Sequence, residues 1–153
     1  MSEDSPRPLP APAGRIRVGV DIAGRSPAEV FSYFTEPRLL ARWWVPESHL
    51  EAATGGSYEF RWPKQDWTLR GTFVEFEPAT RLRFSWRWDH EPEKEFEVIV
   101  SFDQIGRHGT AVVVEHGPYG DAARDRELRE EHLAGWLHFL GTLAEVAKSA
   151  EPR

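Results

Sequence analysis

The sequence predicts an α+β fold in which a curved antiparallel sheet wraps one long C-terminal helix. Three observations support this. Residues 57–116 alternate between apolar and polar side chains, as strands with one buried face do. Two short helical segments precede most of the strands, and residues 121–148 form a single amphipathic helix at the end. A sheet that curves around one helix leaves a tapered interior, which can hold a small apolar ligand.

Composition narrows the possible functions. The chain of 153 residues carries a formal net charge of −6, which argues against nucleic acid or an anionic membrane as the main partner. The absence of cysteine excludes disulfides, thiol nucleophiles and cysteine-ligated metals. No run of about 18 apolar residues is present, so we expect no membrane-spanning helix. No N-terminal stretch resembles a secretory signal, and we therefore expect a cytoplasmic protein.

The N-terminal segment differs from the rest in composition. Residues 1–14 contain four prolines and almost no apolar side chains. Such a segment buries too little surface to offset its ordering entropy, so we predict a flexible, disordered tail. A polyproline docking site is the alternative. Residues 15–150 are predicted to form a single domain.

The first strand and two helices follow the tail. Residues 15–22 alternate and predict a strand. Ser26 and Pro27 then provide an N-cap and a first helical residue. A second short helix is predicted from Pro37 to Trp44, ended by Pro46.

Six more strands are predicted as an antiparallel meander with one apolar and one charged face. The phase of the alternation shifts after Phe73, which predicts a bulge there. The predicted strands cover residues 50–53, 57–62, 67–76, 82–88, 96–102 and 112–116.

The C-terminal helix carries an apolar stripe that includes His132 and Trp136. Gly135 and Gly141 each cost a helix about 1 kcal/mol relative to alanine. We therefore expect the helix backbone to approach the sheet closely at both glycines.

An ordered series of short motifs resembles a known family. The chain resembles the START-like (SRPBCC) helix-grip superfamily and, within it, the family named for the activator of the heat-shock protein 90 ATPase. The resemblance runs from the first strand to the end of the last helix. Its motifs are Ser26 to Phe31, Leu39 to Trp44, Gly55 to Tyr58, Gly71 to Phe76, Pro78, Arg81 to Trp86, Gly109-Thr110, His116-Gly117, His132, Gly135-Trp136, Leu140 and Leu143.

This resemblance implies a β-α-α-β6-α arrangement that grips the last helix over a cavity. Members of the superfamily include lipid and hormone binders, polyketide cyclases, a self-resistance protein that binds an enediyne antibiotic, and co-chaperone domains. A fold with so many uses does not specify one function.

Aromatic residues are the main candidates for a binding site. Nine of them either line a pocket for a flat, apolar ligand or fill the core, namely Trp44, Tyr58, Phe60, Trp62, Trp67, Phe73, Trp86, Trp88 and Trp136. The residues that we predict to bind a ligand are Trp44, Tyr58, Phe60, Trp67, Phe73, Trp86, Val98, His116, Tyr119, His132 and Trp136.

His116 and His132 are the best candidates for proton transfer, because both are predicted to face the interior. The alternative is that both are hydrogen-bonded core or rim histidines. Glu75 would be a buried general base only without the bulge, so we expect the phase shift to turn it towards solvent. His132 and His138 are six residues apart and point to different sides of a helix, so no zinc signature is present.

We expect a binding protein for an apolar or aromatic small molecule, with no catalytic residue, metal or cofactor. A cyclase- or hydrolase-type enzyme that uses a cavity histidine is the first alternative. A protein-interaction module that acts on a heat-shock chaperone is the second, although the sequence shows no exposed docking surface for it. The chain is expected to be a monomer or a homodimer.

Overall fold

The computed structural model describes residues 5–149. An eight-stranded antiparallel sheet curves around a C-terminal helix, which confirms the predicted helix-grip α+β fold. The elements are β1 (Arg7–Leu9), β2 (Ile16–Ile22), α1 (Pro27–Thr35), α2 (Pro37–Leu40), β3 (Glu47–Leu50), β4 (Ser57–Trp62), β5 (Trp67–Glu77), β6 (Arg81–Trp88), β7 (Glu95–Ile105), β8 (Gly109–Gly117) and α3 (Ala123–Ser149).

The strand order is β1-β2-β8-β7-β6-β5-β4-β3, so β2 pairs with the last strand of the meander. Alternate residues of each long strand point inward, as in β7, where Phe96, Val98, Val100 and Phe102 are buried. These side chains pack with α1 and α3 to form the core.

Helix α1 begins as the sequence predicts. The Ser26 hydroxyl accepts a hydrogen bond from the Glu29 N–H, and the Glu29 carboxylate accepts one from the Ser26 N–H. This capping box satisfies two N–H groups at the start of the helix. The predicted bulge also occurs, because the pairing of β5 with β6 shifts register between Phe73 and Glu75.

The prediction of a disordered tail is wrong for Arg7–Leu9, which form the edge strand β1. Pro8 lacks an N–H donor, and proline is tolerated at a sheet edge for that reason. Leu9 lies over Gly19, where an added Cβ would be 2.8 Å from the Leu9 Cδ1. The tail prediction for residues 1–4 lies outside the described residues, as does residue 150 of the predicted domain.

Two element boundaries also differ from the predictions. Helix α2 ends at Leu40, because the N–H groups of Trp43, Trp44 and Val45 all bond to the Leu40 carbonyl in a tightened turn. The next strand begins directly after Pro46 and ends at Leu50, so it lies three residues before the predicted strand, residues 50–53, and shares only Leu50 with it. Residues 51–56 form turns instead, in which the Ala53 N–H donates to the Glu51 carbonyl and the Gly56 N–H donates to the Ala53 carbonyl.

The two helix glycines do not have the predicted role. An added Cβ at Gly135 would meet no atom within 4 Å, and one at Gly141 would contact only Pro6. Close approach to a strand occurs instead at Gly71 of β5, where an added Cβ would be 2.1 Å from the Ser85 carbonyl oxygen.

Candidate functional site

A cavity of about 560 Å³ lies between α3 and the ends of strands β4, β5 and β6. This volume is in the range of small-molecule sites. Six of the seven tryptophans line it. The lining residues are Trp44, Trp62, Gln65, Trp67, Trp86, Trp88, His90, Glu91, Arg124, Leu128, Glu131, His132, Gly135, Trp136 and Phe139.

Strand pairing brings the outer tryptophans together. Trp62 and Trp67 are directly paired residues at the β4–β5 hairpin. Trp88 lies on the neighbouring strand, with its ring centre 5.3 Å from that of Trp62 and 5.7 Å from that of Trp67. Trp67 is 46% exposed. This aromatic group therefore forms the mouth of the cavity.

Three buried tryptophans form the inner wall. The Trp44 ring is 5.2 Å from the Trp136 ring and lies nearly parallel to the Trp86 ring at 6.1 Å. The Trp44 carbonyl also accepts a hydrogen bond of 3.0 Å from the Trp62 indole. Trp44 therefore connects the inner wall to the mouth, and the tightened turn after α2 fixes its position.

His132 reaches this wall from α3 and stacks on His116 of β8. The two imidazole centres are 4.2 Å apart and the rings are inclined by only 8°. The Trp136 indole donates a hydrogen bond of 2.9 Å to His116 Nδ1. The Tyr119 hydroxyl lies 2.7 Å from His132 Nδ1.

Both histidines are neutral at pH 7. Burial and the nearby Arg124 lower the pKa of His132 to about 4, although Glu91 opposes the shift. Burial holds the pKa of His116 well below its usual value, and His132 and Arg15 lower it further. Burial also raises the pKa of Tyr119, which keeps its hydroxyl protonated. The cluster is therefore uncharged.

The hydrogen bond from Trp136 assigns the tautomer of His116. An indole N–H can only donate, so His116 Nδ1 accepts and its proton lies on Nε2. In the hydrogen bond between the Tyr119 hydroxyl and His132 Nδ1, the tautomer of His132 decides which group donates. Because Tyr119 engages Nδ1 and His132 lines the cavity, Nε2 is the ring nitrogen left for a bound molecule.

Two buried donors of the cluster, Trp86 Nε1 and His116 Nε2, have no hydrogen-bond partner within residues 5–149. The Trp86 and His116 ring centres are 4.5 Å apart with the planes inclined by 65°. Such an edge-to-face contact lets an N–H point at an aromatic face, where it is weakly accepted.

Ion pairs close one side of the mouth. Arg124 in the first turn of α3 donates to both oxygens of Glu91 at 2.7 and 2.8 Å. Lys94 and Asp125 form a second ion pair between the same two segments. The pairs fasten the β6–β7 turn to α3. The hydrogen bond from Arg124 lowers the pKa of Glu91, so the carboxylate stays ionised.

The structure distributes the predicted ligand-binding residues over three positions. Trp44, Trp67, Trp86, His132 and Trp136 line the cavity. His116 and Tyr119 lie behind His132 in its hydrogen-bonded cluster. The other four are buried core residues outside the cavity lining, namely Tyr58, Phe60, Phe73 and Val98.

Several cavity residues are missing from the list of predicted ligand-binding residues. Trp62 and Trp88 are among the nine aromatic candidates for the pocket but not in that list, although they are in phase with Phe60 and Trp86 of their own strands. Glu91 and Arg124 give no such signal, because they meet only when the β6–β7 turn folds against α3.

Neither a buried base nor a metal site emerges within residues 5–149. Glu75 is half-buried and forms ion pairs with Arg81 and Arg83, at 3.0 and 3.7 Å, so it is not the isolated carboxylate of the alternative reading. No group of three His, Asp or Glu side chains in this part of the chain could hold a metal ion. No helix among the described residues is long and apolar enough to cross a membrane.

Comparison with protein families gives a match over most of the chain. The model of the family described as Activator of Hsp90 ATPase homolog 1-like protein matches residues 25–148. No curated protein matches the chain.

Solved structures with the same fold include DynU16, a protein from the dynemicin biosynthetic locus. It is 25% identical, with a TM-score of 0.75, and the match covers 92% of this chain and 49% of DynU16. The chain thus spans about half the length of that protein. A protein from Rhodobacter sphaeroides is 20% identical, with a TM-score of 0.78 and coverage of 96% and 100% of the two chains.

CalU16 from Micromonospora echinospora is 23% identical, with a TM-score of 0.67 and coverage of 95% of this chain and 91% of CalU16. At these identities the R. sphaeroides protein and CalU16 show that the fold is shared.

Proposed function

The chain belongs to the family of activator of Hsp90 ATPase homolog 1-like proteins, and from that premise we propose that it binds an apolar or aromatic small molecule in the tryptophan-lined cavity. One observation carries this proposal: six tryptophans surround about 560 Å³ of space instead of filling it. Large aromatic side chains around an open volume supply apolar contact area and flat faces for stacking.

The polar groups of the cavity suit recognition of a ligand. His132 Nε2 can form a hydrogen bond with a polar group of the ligand, and the Tyr119 hydrogen bond at Nδ1 fixes the orientation of its ring. The likeness to DynU16, from a biosynthetic locus, also agrees with a small-molecule ligand.

The enzyme alternative receives less support from the same geometry. A histidine with a pKa of about 4 is neutral at pH 7, so it has no imidazolium proton to transfer as a general acid, and it is a weak base. No carboxylate orients His132, since its Nδ1 partner is the Tyr119 hydroxyl.

The chaperone alternative requires an exposed docking surface. Among the described residues, the large exposed apolar side chains are Trp67, Val74 and Ile105. Trp67 lies at the cavity mouth, and the other two are on separate strands, β5 and β7. Single exposed side chains of this kind do not form a docking patch.

The binding proposal can be tested with N-phenyl-1-naphthylamine, a neutral probe that fluoresces in apolar surroundings. We expect saturable binding, with energy transfer from the tryptophans. The Gly135→Leu variant should bind the probe at least about tenfold more weakly, because the new side chain enters the open space beside Gly135.

Two variants provide matched controls. Gly135→Ala adds little volume at the same position, and Gly141→Ala changes a helix glycine outside the cavity, so both should bind the probe as the original chain does. Circular dichroism would check that each variant is folded. Absence of saturable binding, or equal binding by a folded Gly135→Leu variant, would refute the proposal.

A further inference from the structure

We infer that the ligand of this cavity carries an alkylammonium group, which lies against the indole faces near the cavity mouth. The inference rests on the proposed binding function and specifies the chemical class of the ligand. Two independent features support it, namely the charges at the mouth and the aromatic surfaces beside them.

The charges at the mouth favour a cation. Arg124 is paired with three carboxylates, those of Glu91, Glu127 and Glu131, at distances of 2.7, 3.2 and 3.5 Å. One guanidinium against three carboxylates leaves an excess of two negative charges in this cluster. Glu91 and Glu131 line the cavity, so their field reaches a bound molecule.

The positive groups nearby offset little of this field. Arg124 already donates to its carboxylate partners, and Lys94 is paired with Asp125. His132 on the inner wall is neutral. An anionic ligand would therefore face carboxylates, while the arginine and the lysine nearest to them are already paired.

The aromatic surfaces also favour a positively charged ligand. Indole carries the strongest negative face of the aromatic side chains, and cages of such faces recognise quaternary ammonium groups. At the mouth, the Trp88 plane is inclined by 52° to that of Trp62 and by 63° to that of Trp67. Inclined rings offer several faces to one group, whereas stacked rings cover each other.

A pair of isosteric probes separates charge from shape. The cation is (2-naphthylmethyl)trimethylammonium, and its neutral isostere is 2-(2,2-dimethylpropyl)naphthalene, in which carbon replaces the quaternary nitrogen. Calorimetric titration should show that the cation binds at least about tenfold more tightly than the isostere. Raising the salt concentration should weaken binding of the cation alone.

Variants at the mouth test the two features separately. Glu131→Gln should weaken binding of the cation about threefold and leave the isostere unchanged. Glu130→Gln is the matched control, since Glu130 is the adjacent exposed residue on α3 but does not line the cavity. Trp67→Leu retains an apolar side chain at an exposed position but removes an indole face. It should weaken binding of the cation more than binding of the isostere.

The outcomes distinguish this inference from the function on which it rests. If the isostere binds as tightly as the cation, or if Glu131→Gln and Glu130→Gln have equal effects, the assignment of an alkylammonium ligand is wrong and the binding function stands. If the naphthylamine probe, the naphthylmethyl cation and its neutral isostere all fail to bind, the proposed function is itself refuted.

Discussion

His116 and His132 show how burial controls the chemistry of a single side chain. Their rings stack at 4.2 Å, and each Nδ1 is engaged by an aromatic partner, Trp136 or Tyr119. A proton added to either ring would place a charge in apolar surroundings, next to the other imidazole. The folded state therefore requires both rings to stay neutral.

This requirement predicts that acid destabilises the protein before its carboxylates titrate. In the unfolded chain histidine binds a proton near pH 6.5, whereas the pKa of folded His132 is about 4. The unfolded state then binds more protons, so the free energy of unfolding falls as the pH drops from about 7 towards 4. At pH 5 we expect His132 to contribute a loss of about 2 kcal/mol in the free energy of unfolding relative to pH 7.

Urea denaturation at pH 7, 6 and 5 would measure this loss. Between pH 7 and pH 5, the free energy of unfolding of the His132→Gln variant should fall by about 2 kcal/mol less than that of the original chain. His108→Gln replaces an exposed imidazole and should retain the original pH dependence. If the free energy of unfolding of His132→Gln depends on pH as it does in the original chain, His132 is not the group that causes the acid destabilisation.

At the scale of the element, α3 contains a glycine that sheet packing does not require. Gly135 lies within a helix of 27 residues and lines the cavity, and no atom would lie within 4 Å of an added Cβ. Its missing side chain enlarges the cavity at the expense of helix stability. The contrast is with Gly71 of β5, where the Ser85 carbonyl leaves no room for a Cβ.

We therefore expect opposite effects from two glycine-to-alanine substitutions. Gly135→Ala should raise the free energy of unfolding by about 0.5–1 kcal/mol, because alanine is the better helix former. Gly71→Ala should lower it by at least about 2 kcal/mol, because the strands must separate. Chemical denaturation of both variants would measure the effects, and destabilisation by Gly135→Ala would contradict the open space beside that residue.

At the scale of the whole molecule, the cavity is held shut on one side by charges rather than by apolar packing. The β6–β7 turn is fastened to α3 by the Glu91–Arg124 and Lys94–Asp125 ion pairs. Exposed ion pairs add little to stability but can hold a loop in one position. Opening of this turn would widen the mouth without disturbing the core.

We predict that Arg124→Gln accelerates probe exchange while the protein remains folded. Stopped-flow fluorescence with the neutral naphthylamine probe should show a dissociation rate at least about threefold faster than that of the original chain. Arg38→Gln is the control, because Arg38 lies on α2 outside the cavity lining and forms its own ion pair with Glu36. Equal dissociation rates in the two variants would show that the Arg124 pairs do not limit exchange.

Local patterns in the sequence predicted most elements of the fold. The alternation of Leu82, Phe84 and Trp86 predicted β6, and Ser26 followed by Pro27 marked the start of α1. These predictions succeed because strand alternation and helix capping depend on neighbours along the chain. The tail prediction failed at Arg7–Leu9, since the partner that orders this segment is the distant edge of β2.

The candidate site could be predicted only in part, because its residues are brought together across the fold. Periodicity along the chain specified most of the strands, the long helix and the inward alternation of most strand side chains. The packing of the elements against one another decides that Trp86 borders open space whereas Phe73 is enclosed in the core. It also set the cavity charge by bringing Glu91 to Arg124, 33 residues away. Volume and electrostatic field depend on distances between elements, which no local pattern encodes.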